Sequence, residues 1–188
     1  MTFSIWTPYQ AFYIQSMLFN CQSAIASIDK LQHATGECNS VNNTRALSAH
    51  EILNELKNIV LQGASLSRYF WPVRKEYSKR GEFLRKALSV SEKSPLKSRD
   101  LRNAIEHFDE RLDEYLSNEI TGIILPEFVG QRPRNDGVTG LFFRAYFLDC
   151  DIFKLLDAEY EMNDLVTEII RLNETLVFLD ENGGVFKN

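Results

Sequence analysis

A chain of 188 residues, 44% apolar and 25% charged, is long enough to bury one full core and has the composition of a soluble globular protein. No run of about 18 apolar residues occurs, which excludes a transmembrane helix, and the first residues lack the basic-then-apolar order of a signal peptide. The net charge of −5 is uneven: residues 68–102 hold 11 Lys and Arg against 4 Asp and Glu, and the rest of the chain holds 10 against 22. Such a split marks either an anion-binding surface in an acidic protein or a solvated basic segment paired with acidic neighbours. Cys21, Cys38 and Cys150 are odd in number and scattered, which suits inert thiols in a reducing cytoplasm. No Cys/His spacing suggests zinc, and no metal or cofactor is expected.

Thr7-Pro8 predicts a helix start, and apolar residues recur at helical spacing from Tyr9 to Leu31, so a first helix is expected over about residues 8–35. Its Met and aromatic stripe reads as core. Residues 37–44 are polar and read as a loop. Ser48 followed by Glu51 has the capping-box pattern and opens a second helix, where Gly63 offers room for another helix. Pro72 removes a backbone donor and ends that helix near residue 70. A basic connector follows, with Arg74, Lys75, Lys79 and Arg80 beside Tyr77. Charge for phosphates and rings for stacking are what single-stranded RNA binding uses. The same stretch also reads as a surface arm, with Phe70 and Trp71 packed on the bundle.

A short third helix is predicted near residues 82–90, and Ser94-Pro95 begins a fourth that runs to about residue 118. Leu101, Ile105, Phe108, Leu112 and Leu116 mark one face of that helix. Leu101, Ile105, Phe108 and Leu112 are expected to be buried, and Glu110, Asp113 and Glu114 exposed. Beyond residue 119, residues 121–126 are apolar and β-branched and residues 130–140 are rich in turn formers. Residues 141–148 suit a strand and 152–159 its hairpin partner, with Asp149-Cys150-Asp151 as the turn. A last helix is expected over residues 163–179.

The polar residues beside the stripe are the ones that suggest chemistry. Asn103 and His107 lie one turn apart on one side of the helix, and Arg102 and Glu106 one turn apart on the other flank. In Arg102-Asn103-Ala104-Ile105-Glu106-His107 the chain resembles the higher eukaryotes and prokaryotes nucleotide-binding (HEPN) superfamily. The mark of that family is Arg, four to six residues, then His, on a core helix, with a polar residue often directly after the Arg. Arg45 to His50 has the same spacing, but with Ala after the Arg and at a helix start. The resemblance spans roughly residues 8–118 and implies a metal-independent endoribonuclease. Arg102, Asn103 and His107 are then the catalytic residues, and the composite site is built in a homodimer.

The same residues also read as surface pairs, Arg102 with Glu106 and His107 with Glu110 or Glu114. Two functions therefore stand: an endoribonuclease in stress or defence, or a non-catalytic dimeric module that binds a protein partner or a nucleotide. The expected fold is mostly α, one domain over residues 1–188. A HEPN-like helical bundle occupies residues 8–118, and a β-hairpin and final helix over 119–188 are appended to it. RNA contact is expected from Arg74, Lys75, Lys79 and Arg80, and no membrane contact is expected.

Overall fold

The computed structural model describes residues 3–36, 47–98, 100, 103, 107–117, 122–133, 140–156 and 158–186. Its first two helices follow the local signals closely. Helix α1 covers Thr7–Gly36 and α2 covers Ala49–Phe70. At the start of α2 the Ser48 hydroxyl accepts from the Glu51 backbone N–H, and the Glu51 carboxylate accepts from the Ser48 N–H at 2.8 Å, so two otherwise orphaned donors are satisfied. At its end Trp71 leaves helical geometry, with φ −126° and ψ 74°, directly before Pro72. The two helices run antiparallel, tied by Ser16 to Tyr69 at one end and by Lys30 to Glu55 at the other. Ser27 adds a hydrogen bond to Glu55. Burial alone would raise the Glu55 pKa, but the bonds from Lys30 and Ser27 and the Lys30 charge outweigh it and hold the carboxyl below its ordinary range.

The basic stretch is more ordered than a connector. A single 3-10 turn covers Lys75–Tyr77, and helix α3 covers Ser78–Ala87, four residues earlier than expected. Gly81 explains how α3 meets the end of α2. A Cβ there would stand 2.5 Å from the Phe70 carbonyl oxygen and 2.7 Å from Pro72 Cδ, so only a glycine admits this approach. Helix propensity alone would favour Gly81→Ala by about 1 kcal/mol. The clash with backbone reverses the sign, and a loss of about 1–3 kcal/mol is expected. Urea unfolding checks it: a midpoint at or above that of the wild type would show that α3 does not dock this way.

The expected fourth helix is interrupted. Pro95–Lys97 is one 3-10 turn capped by Ser94, and Ser98 is extended, with ψ 123°. Helix α4 then covers Phe108–Ser117. Glu110, Asp113 and Glu114 are exposed as the stripe predicts, but Leu112 is only half-buried and Leu116 is 53% exposed. Leu101, Ile105 and the Phe108 side chain lie outside the described residues.

A mostly α bundle with an appended hairpin is not what the chain forms: the fold is mixed α/β, with a four-stranded sheet. Strands β1 (Ile123–Gly130), β2 (Gly140–Phe147), β3 (Ile152–Leu155) and β4 (Ala158–Glu161) lie in that order. β1 pairs parallel with β2, in register Ile123 with Gly140 through Gly130 with Phe147. β2 to β3 and β3 to β4 are antiparallel. The expected hairpin across Asp149 to Asp151 is present as β2–β3, but its second arm breaks at Leu156, in the left-handed region at φ 55°, and returns as β4. Pro126 sits in β1, which is tolerated because β1 is an edge strand.

Helix α5, Met162–Glu181, follows β4 and completes the core. Ile14, Met17, Cys21, Ala24 and Ile28 of α1 meet Leu56, Ile59 and Phe70 of α2 and Leu165, Ile169, Leu172 and Leu176 of α5. Phe153, Leu155 and Tyr160 close the cluster from the sheet. From β2, Tyr146 packs against this core, while Phe142, Ala145 and Phe147 form a second, smaller cluster with Phe128 of β1. Burial pushes the Cys21 thiol up to about 12, so it is inert, as expected. Cys150 is exposed, and Cys38 lies outside the described residues. No described helix is long and apolar enough to cross a membrane.

Candidate functional site

Asn103 is helical and half-buried, and its carbonyl accepts from the His107 backbone N–H at 3.1 Å. His107 O in turn accepts from Arg111 N at 3.0 Å. Helical bonding therefore passes through His107 into α4, and Asn103 and His107 stand one turn apart as the spacing requires. The His107 side chain is 56% exposed, and its Nδ1 lies 3.4 Å from Glu110 Oε2. The ion-pair reading of His107 is thus realised with Glu110. An exposed pair of this kind is weak and screened by salt. Asp109, Asp113 and Glu114 are exposed on the same helix and make its surface acidic. Arg102 lies outside the described residues. The motif helix is also less enclosed than its stripe implies: among the described side chains of α4 none is fully buried.

The four basic residues of the arm separate into two kinds. Arg74, Lys75 and Lys79 are exposed, with Arg74 3.8 Å from Glu76. Arg80 is half-buried: it donates to the Arg68 carbonyl at 2.9 Å and its guanidinium sits between the rings of Tyr77, at 5.6 Å, and Tyr13, at 6.0 Å. Its aromatic contacts hold the arm onto the bundle. Phe70 is fully buried and Trp71 half-buried, so neither is a free stacking platform, whereas Tyr77 is exposed. Part of the positive excess is neutralised within the segment, since Arg85 lies 3.0 Å and Lys97 2.8 Å from Glu92. The Lys97 hydrogen bond, with the charges of Arg85 and Lys97, holds Glu92 below the usual carboxylate range against a smaller opposing effect of burial. Among the described residues no hydrogen bond or ion pair joins Asn103 or His107 to Arg74, Lys75, Lys79 or Arg80.

Of the other candidates, His50 lies 3.0 Å from Glu127 and ties α2 to β1, a structural setting for the second Arg-to-His spacing. Asp149 accepts from the Arg132 N–H at 2.7 Å, and Asp151 accepts from the Tyr146 hydroxyl, so both carboxylates serve the turn. Among the described residues no three His, Cys, Asp or Glu gather as a metal site would need.

A cleft of about 880 Å³ between α1, α2 and α3 was not expected. Phe12, Ser16 and Phe19 of α1 form one wall; Arg68 and Tyr69 of α2 and Arg80 of α3 form the other. Phe12 is 73% and Phe19 74% exposed. The signal that could have found it is the seven-residue spacing of Phe12 and Phe19, which puts both rings on the side of α1 that carries Gln15 and Ser16; Phe12, read as part of the core stripe, is instead open to solvent. No protein-family model, no curated protein and no solved structure matches the chain.

Proposed function

We propose that this protein is a metal-independent endoribonuclease of the cytoplasm, in which Arg102, Asn103 and His107 act on RNA within a homodimer. The setting of His107 carries this reading: the imidazole is exposed, and Glu110 stands at its Nδ1. An exposed imidazole on a helix can reach a substrate and serve as proton acceptor or donor in this chemistry. In RNA the 2′-hydroxyl attacks the adjacent phosphorus while the bond to the 5′-oxygen breaks, leaving a 2′,3′-cyclic phosphate and a 5′-hydroxyl. One group takes the 2′-hydroxyl proton and another protonates the leaving oxygen. A guanidinium such as Arg102 offers paired donors to the phosphoryl oxygens, where charge builds. Arg102 and His107 are about 140° apart around one helix, and a second copy supplies the second His.

Because α4 is acidic, the substrate needs cations from elsewhere, and the exposed Arg74, Lys75 and Lys79 are their source in this reading. Reversing these three to Glu is expected to abolish RNA retention at moderate salt. In the wild type, log affinity should fall with log salt by about 0.7 per phosphate contact on a single strand. Arg80 is left out of the variant because it holds the arm in place. Equal retention by wild type and variant across the salt series would remove the arm from the reading.

The reaction itself is tested by gel analysis of a mixed-sequence RNA with purified protein and a chelator. Cleavage is expected with the chelator present, and a 2′-deoxy substrate is expected to stay whole. RNA left intact at high protein concentration would leave the second reading, a non-catalytic dimeric interaction module. The aromatic cleft between α1 and α2 favours that reading.

A further inference from the structure

Most of α1 carries no charge. From Met1 to Ile28 there is no Asp, Glu, Lys, Arg or His, although one residue in four of the whole chain is charged. A helix sealed in a core needs no charge, but α1 lies at the surface: Phe12, Gln15, Ser16, Phe19, Gln22 and Ala26 are exposed along it. Rings project from that surface. At 100° per residue Tyr9, Phe12 and Phe19 fall within about 80° of the helix circumference. Trp6 extends the row, packed edge-on against Tyr9 at 4.8 Å. Trp6 is 63% and Tyr9 56% exposed, beside the more open Phe12 and Phe19. An aromatic side chain offers about 150–250 Å² to a contact, so the four leave about 500 Å² uncovered. The largest apolar patch on a typical monomer is about 300–600 Å² and is often functional. Each partner in a stable complex contributes about 800 Å², and these rings alone supply more than half of it.

Exposed aromatics without charge are the composition of an interface centre. They also restrict the partner. Across the cleft, Arg80 is bonded to the Arg68 carbonyl and held between Tyr13 and Tyr77, and Arg68 has a partner of its own within the chain. The cleft therefore holds no cation that calls for an acidic peptide or a phosphate. A charged surface laid on these rings would lose its hydration and gain no counter-charge. The surface that fits is itself uncharged and aromatic, and the chain presents such a surface in this face.

We propose that two copies of the chain pair through this face, with α1 antiparallel to α1 of the partner. A two-fold axis midway between Phe12 and Phe19, beside Gln15 and Ser16, sets Phe12 of one copy against Phe19 of the other, and does so twice. The short Ser16 side chain lets the helices approach at the axis, and the cleft beside it gives the incoming rings room. Association adds to apparent stability by mass action, so melts that compare core variants belong below the concentration at which the copies pair. Of the proposed function this inference uses only the dimer, and it does not depend on catalysis.

Sedimentation velocity of the full chain tests the pairing by charge exchange. The wild type is expected to be a dimer. Phe12→Asp puts a carboxylate against Phe19 at both contacts, and Phe19→Lys puts an ammonium against Phe12 at both. Both positions are exposed within one chain, so each variant should keep the wild-type circular dichroism spectrum. Each should self-associate about 100-fold more weakly than the wild type, or less. In a mixed dimer one contact joins the new carboxylate to the new ammonium and the other keeps both rings. Mixing should therefore raise the affinity about tenfold or more over either variant alone. A monomeric wild type at the highest soluble concentration overturns the inference, and retention of that monomer by phosphatidylcholine vesicles makes a bilayer the occupant instead. Weakening by only one of the variants overturns it too, and so does a mixture no tighter than its components, because each places the contact elsewhere. RNA cleavage is followed in parallel: a dimer that leaves RNA whole removes the catalytic reading alone, and a monomer that cuts RNA removes the pairing alone.

Discussion

Phe70→Ala is expected to cost about 3–5 kcal/mol of stability, the range for deleting a buried aromatic side chain. Phe70 is fully buried at the C-terminal end of α2, in the cluster that α1, α3 and α5 share. Two further contacts concentrate the effect there. Its carbonyl accepts from Arg85, and the same carbonyl is the atom against which Gly81 is fitted. Truncation leaves a cavity beneath both, and the closely packed interior relaxes into it only in part. For a chain of this length the loss corresponds to a fall in melting temperature of about 6–20 °C. Phe12→Ala is the control: the same deletion on a 73% exposed ring should stay within about 0.5 kcal/mol of the wild type. A thermal melt in which the two variants behave alike would mean that the core has been misassigned.

His107→Ala is expected to lower the rate of RNA cleavage by about 100- to 10,000-fold, the usual contribution of one positioned acid or base. The ring is exposed and its contact to Glu110 is weak, so the melting temperature should hardly move. That separation is what makes the experiment informative, since a rate loss without a stability loss cannot come from unfolding. Glu110→Gln keeps the shape but removes the charge at Nδ1. It should reduce the rate less than His107→Ala, because the imidazole stays in place while its orientation loosens. Arg102→Lys keeps the charge and loses the paired donors, so it should impair turnover more than affinity. His50→Ala, at the other Arg-to-His spacing, should leave the rate unchanged, because His50 is engaged with Glu127 between α2 and β1. Cleavage that is equal in wild type and His107→Ala would assign the activity to another site or to a contaminant.

Local chemistry was legible in the residues themselves. The Ser48–Glu51 box, the stop at Pro72 and the buried stripes of α2, α5 and most of α1 all act within a few residues of chain, where hydrogen-bond satisfaction and helical period decide the outcome; Tyr9 and Phe12, read as part of the α1 core stripe, are exposed. The turn across Asp149 and Asp151 is of the same kind, and so is the one-turn relation of Asn103 to His107. The parallel pairing of β1 with β2 is not. It joins residues seventeen apart in register along the chain, from Ile123 with Gly140 onward, and no local pattern states which strand an apolar edge segment will join. Nor does Leu156 announce its left-handed turn, since neither Gly nor Asn stands there. The amphipathic stripe of α4 was visible, but whether it is covered depends on what packs over it, and there Leu112 and Leu116 stay partly open. The same holds for the cations and rings. Arg80 and Lys79 are adjacent in sequence, yet one is held between two tyrosines and the other is open to solvent. Phe12 and Phe70 are the same side chain, one exposed and one sealed. By itself the sequence determined where α1, α2 and α5 begin and end and which helix faces are apolar, because those follow from contacts between near neighbours, whereas the bounds of α3 and the break at Ser98 escaped it. Only the tertiary structure decided the sheet order, the cleft and the fate of each exposed ring, because those depend on surfaces brought together from distant parts of the chain.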